Sequence, residues 1–394
     1  MKKNDTEQIR IANRKLIINY VRINGPVARV DIGRALNLSP ATITQITAEL
    51  QKDGRILEIS SEQESGAARG RPRILIDLAP DASSVLVVKL AINELRILLG
   101  DHKGNVVTEA VYPLQTRELN AEQLTGTLLT AITGFIKKLA RRRRPKAVCV
   151  VVQGAVNGVT GEILWSPVLK ERNIPLRQVI EEQIKLPTTV INDANCLAIG
   201  IRQLPAYQDL NDLVVVMLGH GLGMGCFING VLYQGPSGGA GELGHLNYMP
   251  NGAQCLCGKR GCVEAYLGDY ALFRDARMLL PFAAEDELHP TEQSMQALVD
   301  LAEAGNGELV DMFHRAGVAL GYALAGVIGI LRPAKIIISG PGVRSYKYLE
   351  PGVDAGLTSA LVPVLSAGTE IESVALGGDQ LIFGAISLAL QALD

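Results

Sequence analysis

No strong charge of either sign marks this chain. Its 38 Lys and Arg against 40 Asp and Glu leave a net charge of −2, so the molecule as a whole is not a binder of polyanions. Cysteine is too sparse for a disulfide framework: of six, Cys149, Cys196 and Cys226 are scattered in apolar stretches and three crowd into one segment. That usage fits a reducing compartment. The opening Met-Lys-Lys-Asn-Asp-Thr-Glu lacks an apolar run, so no secretory signal is read. The longest apolar stretch, Ala316 to Leu331, is shorter than the ~20 residues a bilayer crossing needs, and Arg332-Pro333 closes it. Its Gly317, Gly321, Ala325 and Gly329 recur at helical spacing, which predicts a buried helix packed closely on neighbours. A soluble, cytoplasmic protein without membrane insertion is expected. Aromatics are few, at 4%, whereas glycines number 41, which suits an α/β protein with many tight turns. The length of 394 residues allows two or three domains.

The charge that is present is uneven. Residues 1–78 hold 13 Lys/Arg against 9 Asp/Glu, and the remainder 25 against 31, as a nucleic-acid-binding head on a neutral body would. In this head Ile11, Leu16, Ile17, Tyr20 and Val21 form a helical stripe, broken by Gly25-Pro26. A second helix, about Arg29 to Leu36, turns Val30, Ile32 and Leu36 inward. Ser39 as N-cap and Pro40 at the first helical position open a third, which runs to about Asp53 with Ile43, Ile46 and Leu50 buried and Gly54 as its stop. Two short helices across a tight turn make a helix-turn-helix pattern, with Ala41, Thr42, Thr44, Gln45 and Ala48 facing outward. Gln pairs with an adenine edge and Thr reaches bases or phosphates. A three-helix unit used for protein contact is the alternative. Ile56–Ile59 and Ile74–Leu78 read as strands flanking Arg69-Gly70-Arg71-Pro72-Arg73. Strand, basic loop, strand is the wing of a winged helix, and three guanidiniums on an extended loop suit a narrow minor groove. Candidate DNA contacts are therefore Ser39, Thr42, Thr44, Gln45, Arg69, Arg71 and Arg73.

Beyond the boundary at Pro80-Asp81, strands are expected at Val85–Leu90, Leu95–Leu99 and Val106–Tyr112, then a helix from about Ala121 to Arg143. The run Arg141 to Arg144 is read as solvated cations offsetting the dipole at that helix's end, with no DNA role. Ala147–Val152 and Thr189–Ile191 are buried strands, the second delivering Asn192-Asp193-Ala194-Asn195 at its C-terminal end, where ligands of α/β proteins sit. Leu213–Leu218 runs into Gly219-His220-Gly221-Leu222-Gly223-Met224-Gly225, a glycine-rich turn able to cradle a phosphate, although glycines also serve hairpins. Phe227–Tyr233 is a hairpin with an Asn-Gly turn.

Between Glu242 and Glu264 the chain reads Glu-Leu-Gly-His and then, ten residues after the histidine, Cys-Leu-Cys-Gly-Lys-Arg-Gly-Cys-Val-Glu. His245, Cys255, Cys257 and Cys262 are the ligand set of a closed, tetrahedral structural zinc site. Gly258 and Gly261 permit its turns. A redox switch or unliganded thiols are the alternatives.

These segments, in order and spacing, resemble the ROK proteins, a family of sugar kinases and sugar-responsive repressors, over roughly residues 82–394. With the N-terminal winged helix the likeness is to the repressor branch, the NagC/Mlc/XylR-like regulators. The resemblance implies an actin-like fold of two α/β lobes (81–200 and 201–394) behind a DNA-binding domain at 1–80, with the C-terminal helix packing back on the first lobe. It implies a sugar held by Asn192, Asp193, Glu242, His245 and Glu264. Paired hydroxyls need such bidentate acceptors and donors. Kinases of the family carry Asp-x-Gly-Gly-Thr in the first hairpin; the corresponding places here hold Lys89, Ala91, Ile92 and Asn93. The second phosphate turn carries His220 for Thr, and the later Gly-Gly pair is Gly340-Pro341. The expectation is a non-enzymatic, homo-oligomeric repressor, dimer or tetramer, of a pseudo-palindromic operator, controlled by a sugar or sugar phosphate and holding Zn2+. The alternatives are an ATP-dependent hexose kinase with an added DNA-binding domain, or a repressor controlled by a sugar-transporter component.

Overall fold

The computed structural model describes residues 3–60, 74–277, 289–366, 368–375 and 379–393. The head opens with helix α1 (Lys3–Asn24), strand β1 (Val27–Ala28), α2 (Arg29–Ala35) and α3 (Pro40–Lys52). Two further strands, β2 (Ile56–Ser60) and β3 (Ile74–Leu78), follow. The sheet order is β1-β3-β2, antiparallel throughout, with Ser60 opposite Ile74 at the open end. The Ser39 side chain accepts the Thr42 N–H, and Gly54 has φ +67°, so both ends of α3 are set as its sequence dictates. The phase of α1 differs from the expected stripe. Ile17, Ile18 and Val21 are buried, whereas Ile11 and Leu16 are 44% and 50% exposed. Val30 is 61% exposed as well, because Ile32 alone on α2 turns fully into the core formed with Ile43, Ile46, Leu50 and Ile76.

The first lobe contains β4 (Ser84–Ala91), β5 (Glu94–Asp101), β6 (Val106–Pro113), α4 (Ala121–Lys138) and β7 (Val148–Val152). It continues with the ribbon β8 (Ala155–Val156) and β9 (Ile163–Trp165), α5 (Leu176–Ile184), β10 (Thr188–Asn192) and α6 (Asp193–Arg202). Helix α4 ends five residues before the expected Arg143. Lys137 and Lys138 fill its last turn, and Arg141–Arg143 form a separate 3-10 turn, with Arg143 paired to Asp81. The arginines therefore do not serve the α4 dipole.

The second lobe has β11 (Leu213–Leu218), β12 (Leu222–Ile228), β13 (Val231–Leu232), α7 (Glu264–Leu267), α8 (Asp269–Ala276), α9 (Glu292–Glu303) and α10 (Gly307–Leu331). It closes with β14 (Lys335–Ser339), α11 (Tyr346–Ala360), α12 (Pro363–Ser366), β15 (Glu370–Ser373) and α13 (Asp379–Gln391). The two large sheets share one plan. In the order β10-β7-β4-β5-β6, strand β4 is antiparallel to β5 and parallel to β7; in β13-β12-β11-β14-β15, strand β11 is antiparallel to β12 and parallel to β14. Each central strand thus ends in a tight hairpin, and the two hairpins face one cavity.

Helices α6 and α13 fill the layer between the sheets, packed with Val85, Val87 and Val151 of the first and Val215 and Ile337 of the second. Glycines allow their close contact: a Cβ at Gly200 would come within 1.9 Å of the Gln380 carbonyl oxygen, and one at Gly384 within 2.0 Å of that of Cys196. Among the described residues one helix, α10, is long and apolar enough to cross a membrane, and 56% of its most apolar window is buried. Gly317 and Gly321 meet the α11 main chain at Leu349 and Val353, as their spacing suggests, whereas Gly329 faces open space. The head joins the body at the β5–β6 turn. Pro80 O accepts the His102 N–H at 3.1 Å, Arg22 Nε donates to His102 O at 3.3 Å, and Lys103 pairs with Asp77.

Candidate functional site

A cavity of about 460 Å3 lies between the lobes, within the range of small-molecule sites. Strand β10 delivers Asn192 and Asp193 to it, where the chain passes into α6. Asn192 caps that helix, its Oδ1 accepting the Asn195 N–H at 3.2 Å, and its Nδ2 donates to Gly154 O at 2.8 Å. Asp193 is 6% exposed and accepts the Ala194 N–H at 2.9 Å. Burial pushes its carboxyl up to about 6, with the Lys89 charge pulling the other way.

Glu264, the first residue of α7, is 8% exposed; its Oε2 accepts the Leu222 N–H at 3.1 Å and its Oε1 lies 3.6 Å from Cys255 Sγ. His245 also lines the cavity. Glu242 instead lines an adjoining water-sized recess of about 20 Å3, shared with Asn192 and Gly223, and lies 3.8 Å from His245 Nε2. Burial raises the Glu242 carboxyl as well, and neighbouring Asp193 and Glu264 add to that. The five expected sugar-contact positions therefore gather around one cavity and its recess.

The four expected metal ligands also converge. His245, Cys255, Cys257 and Cys262 present ligand atoms within 4.8 Å of one another. His245 Nδ1 is 3.7 Å from Cys255 Sγ, and Cys257 Sγ is 3.7 Å from Cys262 Sγ, close to the edge of a tetrahedron around an ion with ~2.3 Å bonds to sulfur. The thiols of Cys255 and Cys262 are pushed up, first by burial, and a bound cation would relieve that by taking the place of the protons. Gly261 is required here: its φ is +82° and a Cβ would lie 1.9 Å from Met249 O. The cluster could hold a metal, with all four donors supplied by the chain.

The glycine-rich run is more divided than its sequence suggests. Gly219 and Gly221 belong to the turn before β12, but Gly223 and Gly225 lie within that strand. Cβ atoms there would meet Ala194 and Ala198 at 2.7 and 2.6 Å, so these two glycines seat α6. His220 Nε2 is 2.7 Å from His289 Nδ1, and Arg117 Nη1 is 3.0 Å from His289 Nε2. Since guanidinium only donates, His289 accepts at Nε2, holds its proton on Nδ1 and donates to His220. Both rings are then neutral, and burial depresses His220 to about 4. This chain of three side chains ties a first-lobe loop to the second-lobe turn; with its bonded members 172 and 69 residues apart in sequence, no local pattern announces it. The only Trp, Trp165 on β9, is a second unforeseen participant, its ring edge-on to His245 at 5.2 Å. Its singularity was the available signal.

In the head, Thr44 and Gln45 are exposed on α3. The hydroxyls of Ser39 and Thr42 bond to each other at 2.8 Å, so these two side chains are engaged in capping. Arg69, Arg71 and Arg73 lie outside the described residues.

A sequence model of the ROK family matches residues 88–392. The DNA-binding transcriptional dual regulator NagC of Escherichia coli K12 is 28% identical over 352 residues, which span 89% of this chain and 86% of the relative. The xylose repressor of Bacillus spizizenii W23 is 24% identical over 389 residues, 98% of this chain and 97% of the relative. Among solved structures, a ROK family transcriptional regulator described as a homolog of the E. coli MLC protein superposes with a TM-score of 0.77 at 26% identity, covering 98% of both chains. A ROK family glucokinase from Streptomyces griseus, in complex with glucose and AMPPNP, shares the fold at a TM-score of 0.64 and 24% identity, covering 78% of this chain and 100% of that one.

Proposed function

Because the chain belongs to the ROK family, we propose that it is a DNA-binding transcriptional regulator, a repressor of carbohydrate-utilisation genes controlled by a sugar or sugar phosphate held between its lobes. The observation that carries this reading is the joining of two parts in one chain. One is a head whose capped helix α3 holds Thr44 and Gln45 in solvent beside a strand pair. The other is a body whose interlobe cavity is walled by Asp193 and Glu264. The two regulators and the xylose repressor named above match the whole chain or most of it, whereas the glucokinase leaves about a fifth unmatched, roughly the size of the head.

On this reading residues 1–80 are a winged helix-turn-helix, α3 enters a major groove, and Arg69, Arg71 and Arg73 form the wing that reaches the adjacent minor groove. Residues 81–200 and 201–394 are the lobes of the sugar-binding body, and a homo-oligomer sets two heads on a pseudo-palindromic operator. Asn192, Asp193, Glu242, His245 and Glu264 bind hydroxyls. His245, Cys255, Cys257 and Cys262 hold Zn2+, which contributes folding energy and fixes the loop that carries His245, with no open position for catalysis. Ligand binding alters lobe closure and thereby the placing of the heads.

A kinase is the competing reading, favoured by the fold shared with the glucokinase. Against it speaks Lys89, a cation in the cavity wall, at the place where the resemblance sets the carboxylate that serves the metal in the family's kinases. Purified protein, mixed with DNA from upstream of carbohydrate operons, should give a salt-sensitive mobility shift that sugars or sugar phosphates change. Sugar-dependent release of ADP from ATP, with indifference to all such DNA, would reverse the assignment.

A further inference from the structure

We propose that the effector carries a phosphate monoester and that Lys89 is the residue that recognises it; this rests on the reading of the cavity as a carbohydrate site and names the ligand class within it. Lys89 lies on β4 in alternation with Val85 and Val87, which face the apolar layer between the sheets. At the third step of that row the chain places an ammonium group instead of an aliphatic side chain, half-buried and lining the cavity. Among the described residues no carboxylate is within ion-pair reach of it, although its charge acts on Asp193. With Asp193 acting on it only from beyond ion-pair reach, the half-buried ammonium keeps its donors open to an anion that enters the cavity.

The rest of the wall leaves that anion nowhere else to go. Only Lys89, His220 and His245 among the lining side chains can carry positive charge. His220 accepts a hydrogen bond from a neutral His289, and His245 faces the cysteines. Lys89 is therefore the standing positive charge of the cavity. The carboxylates of Asp193 and Glu264 repel a phosphate and accept hydroxyls, so the charge layout orients a ligand with one anionic end. From the second lobe, the main-chain N–H of His220 donates to nothing among the described residues, and His220 lines the cavity. It supplies a neutral donor of the type that cradles phosphate oxygens, whereas Gly221 next to it lies against the Glu264 carboxylate.

A nucleotide polyphosphate shares this chemistry, so the experiment separates the sources. Affinities for a hexose, its 6-phosphate, inorganic phosphate, ADP and ATP are measured by calorimetry on the full chain, wild type and with Lys89→Met or Lys89→Arg. The expected result is a preference for the sugar phosphate over its parent sugar of about 10- to 100-fold in the wild type. That ratio collapses in Lys89→Met, survives in Lys89→Arg, and falls with added salt in the wild type, a readout that needs no variant. Equal affinity for sugar and sugar phosphate in the wild type overturns the inference while leaving the carbohydrate reading intact. So does a preference that persists in Lys89→Met, or Lys89-dependent binding of ATP or ADP tighter than that of any sugar phosphate. Binding of no sugar or sugar phosphate at all sinks the carbohydrate reading itself.

Discussion

The Glu264 carboxylate accepts the main-chain N–H of Leu222 across 3.1 Å of the interior, while its second oxygen sits 3.6 Å from the Cys255 sulfur. One side chain thus fastens the β11–β12 hairpin to α7, the helix that follows the cysteine loop. Its removal leaves a buried donor without an acceptor, a loss of ~1–3 kcal/mol. Glu264→Ala should therefore lower the unfolding free energy by that amount, read as a lower urea midpoint at unchanged slope, and weaken effector binding. Glu264→Gln, which keeps an acceptor, should regain most of the stability. Equal midpoints for wild type and Glu264→Ala would remove the carboxylate from its bracing role.

Metal dependence follows from the cluster His245, Cys255, Cys257 and Cys262. The wild type should carry about one zinc per chain, and chelation at neutral pH should lower its melting temperature. Cys257→Ser should lose the ion and loosen the segment between Glu242 and Glu264, seen as faster amide exchange there. A chain that melts at the same temperature with and without a chelator has no structural metal.

Asp193 supplies a pH signature. Its folded carboxyl is raised to about 6 from an ordinary 3.8, chiefly by burial. Below pH 4 folded and unfolded chains both hold the proton, and nothing is lost. Between 4 and 6 the folded chain keeps a proton that the unfolded chain has released, so stability falls as pH rises, and above 6 the loss is complete. Asp193→Asn should therefore be more stable than wild type at pH 7, by at most about 3 kcal/mol, with the advantage vanishing near pH 4. A constant difference from pH 4 to 8 would mean that burial does not perturb this carboxyl.

The chain's local signals foretold what is local. Ser39, Pro40 and Gly54 delimit α3 because caps and left-handed stops are chosen by a few adjacent atoms. The cluster of His245, Cys255, Cys257 and Cys262 was legible for the same reason, three of its four side chains lying within eight residues. Phase and extent were harder. Leu16 is exposed and Ile18 buried because α1 rotates to meet Ile43 and Ile76, partners its own sequence does not specify. Gly223 and Gly225 read as parts of a phosphate turn, yet serve the seating of α6, since a glycine's neighbour is a matter of tertiary approach. Arg117, His289 and His220 meet only when both lobes have formed.

The route from cavity to head leads to the last expectation. Helix α6 begins at Asp193 in the cavity wall and is locked against α13 where Gly200 meets Gln380 and Gly384 meets Cys196. From α13 the Phe383 ring lies under the β5–β6 turn: a Cβ on Gly104 would be 2.6 Å from it. That turn holds the head through Lys103 with Asp77 and through His102 O with Arg22. Packed contacts of this kind carry coupling only if they have two arrangements, which proximity does not establish and a variant can test. Phe383→Leu leaves the cavity wall and the α3 surface untouched. It should preserve effector and DNA affinities measured separately, while reducing the ratio of DNA affinities with and without effector from about tenfold or more to within about threefold. If the ratio stays at its wild-type value with both affinities intact, the α6–α13–hairpin path is a scaffold only, and the signal passes through the second lobe or between subunits.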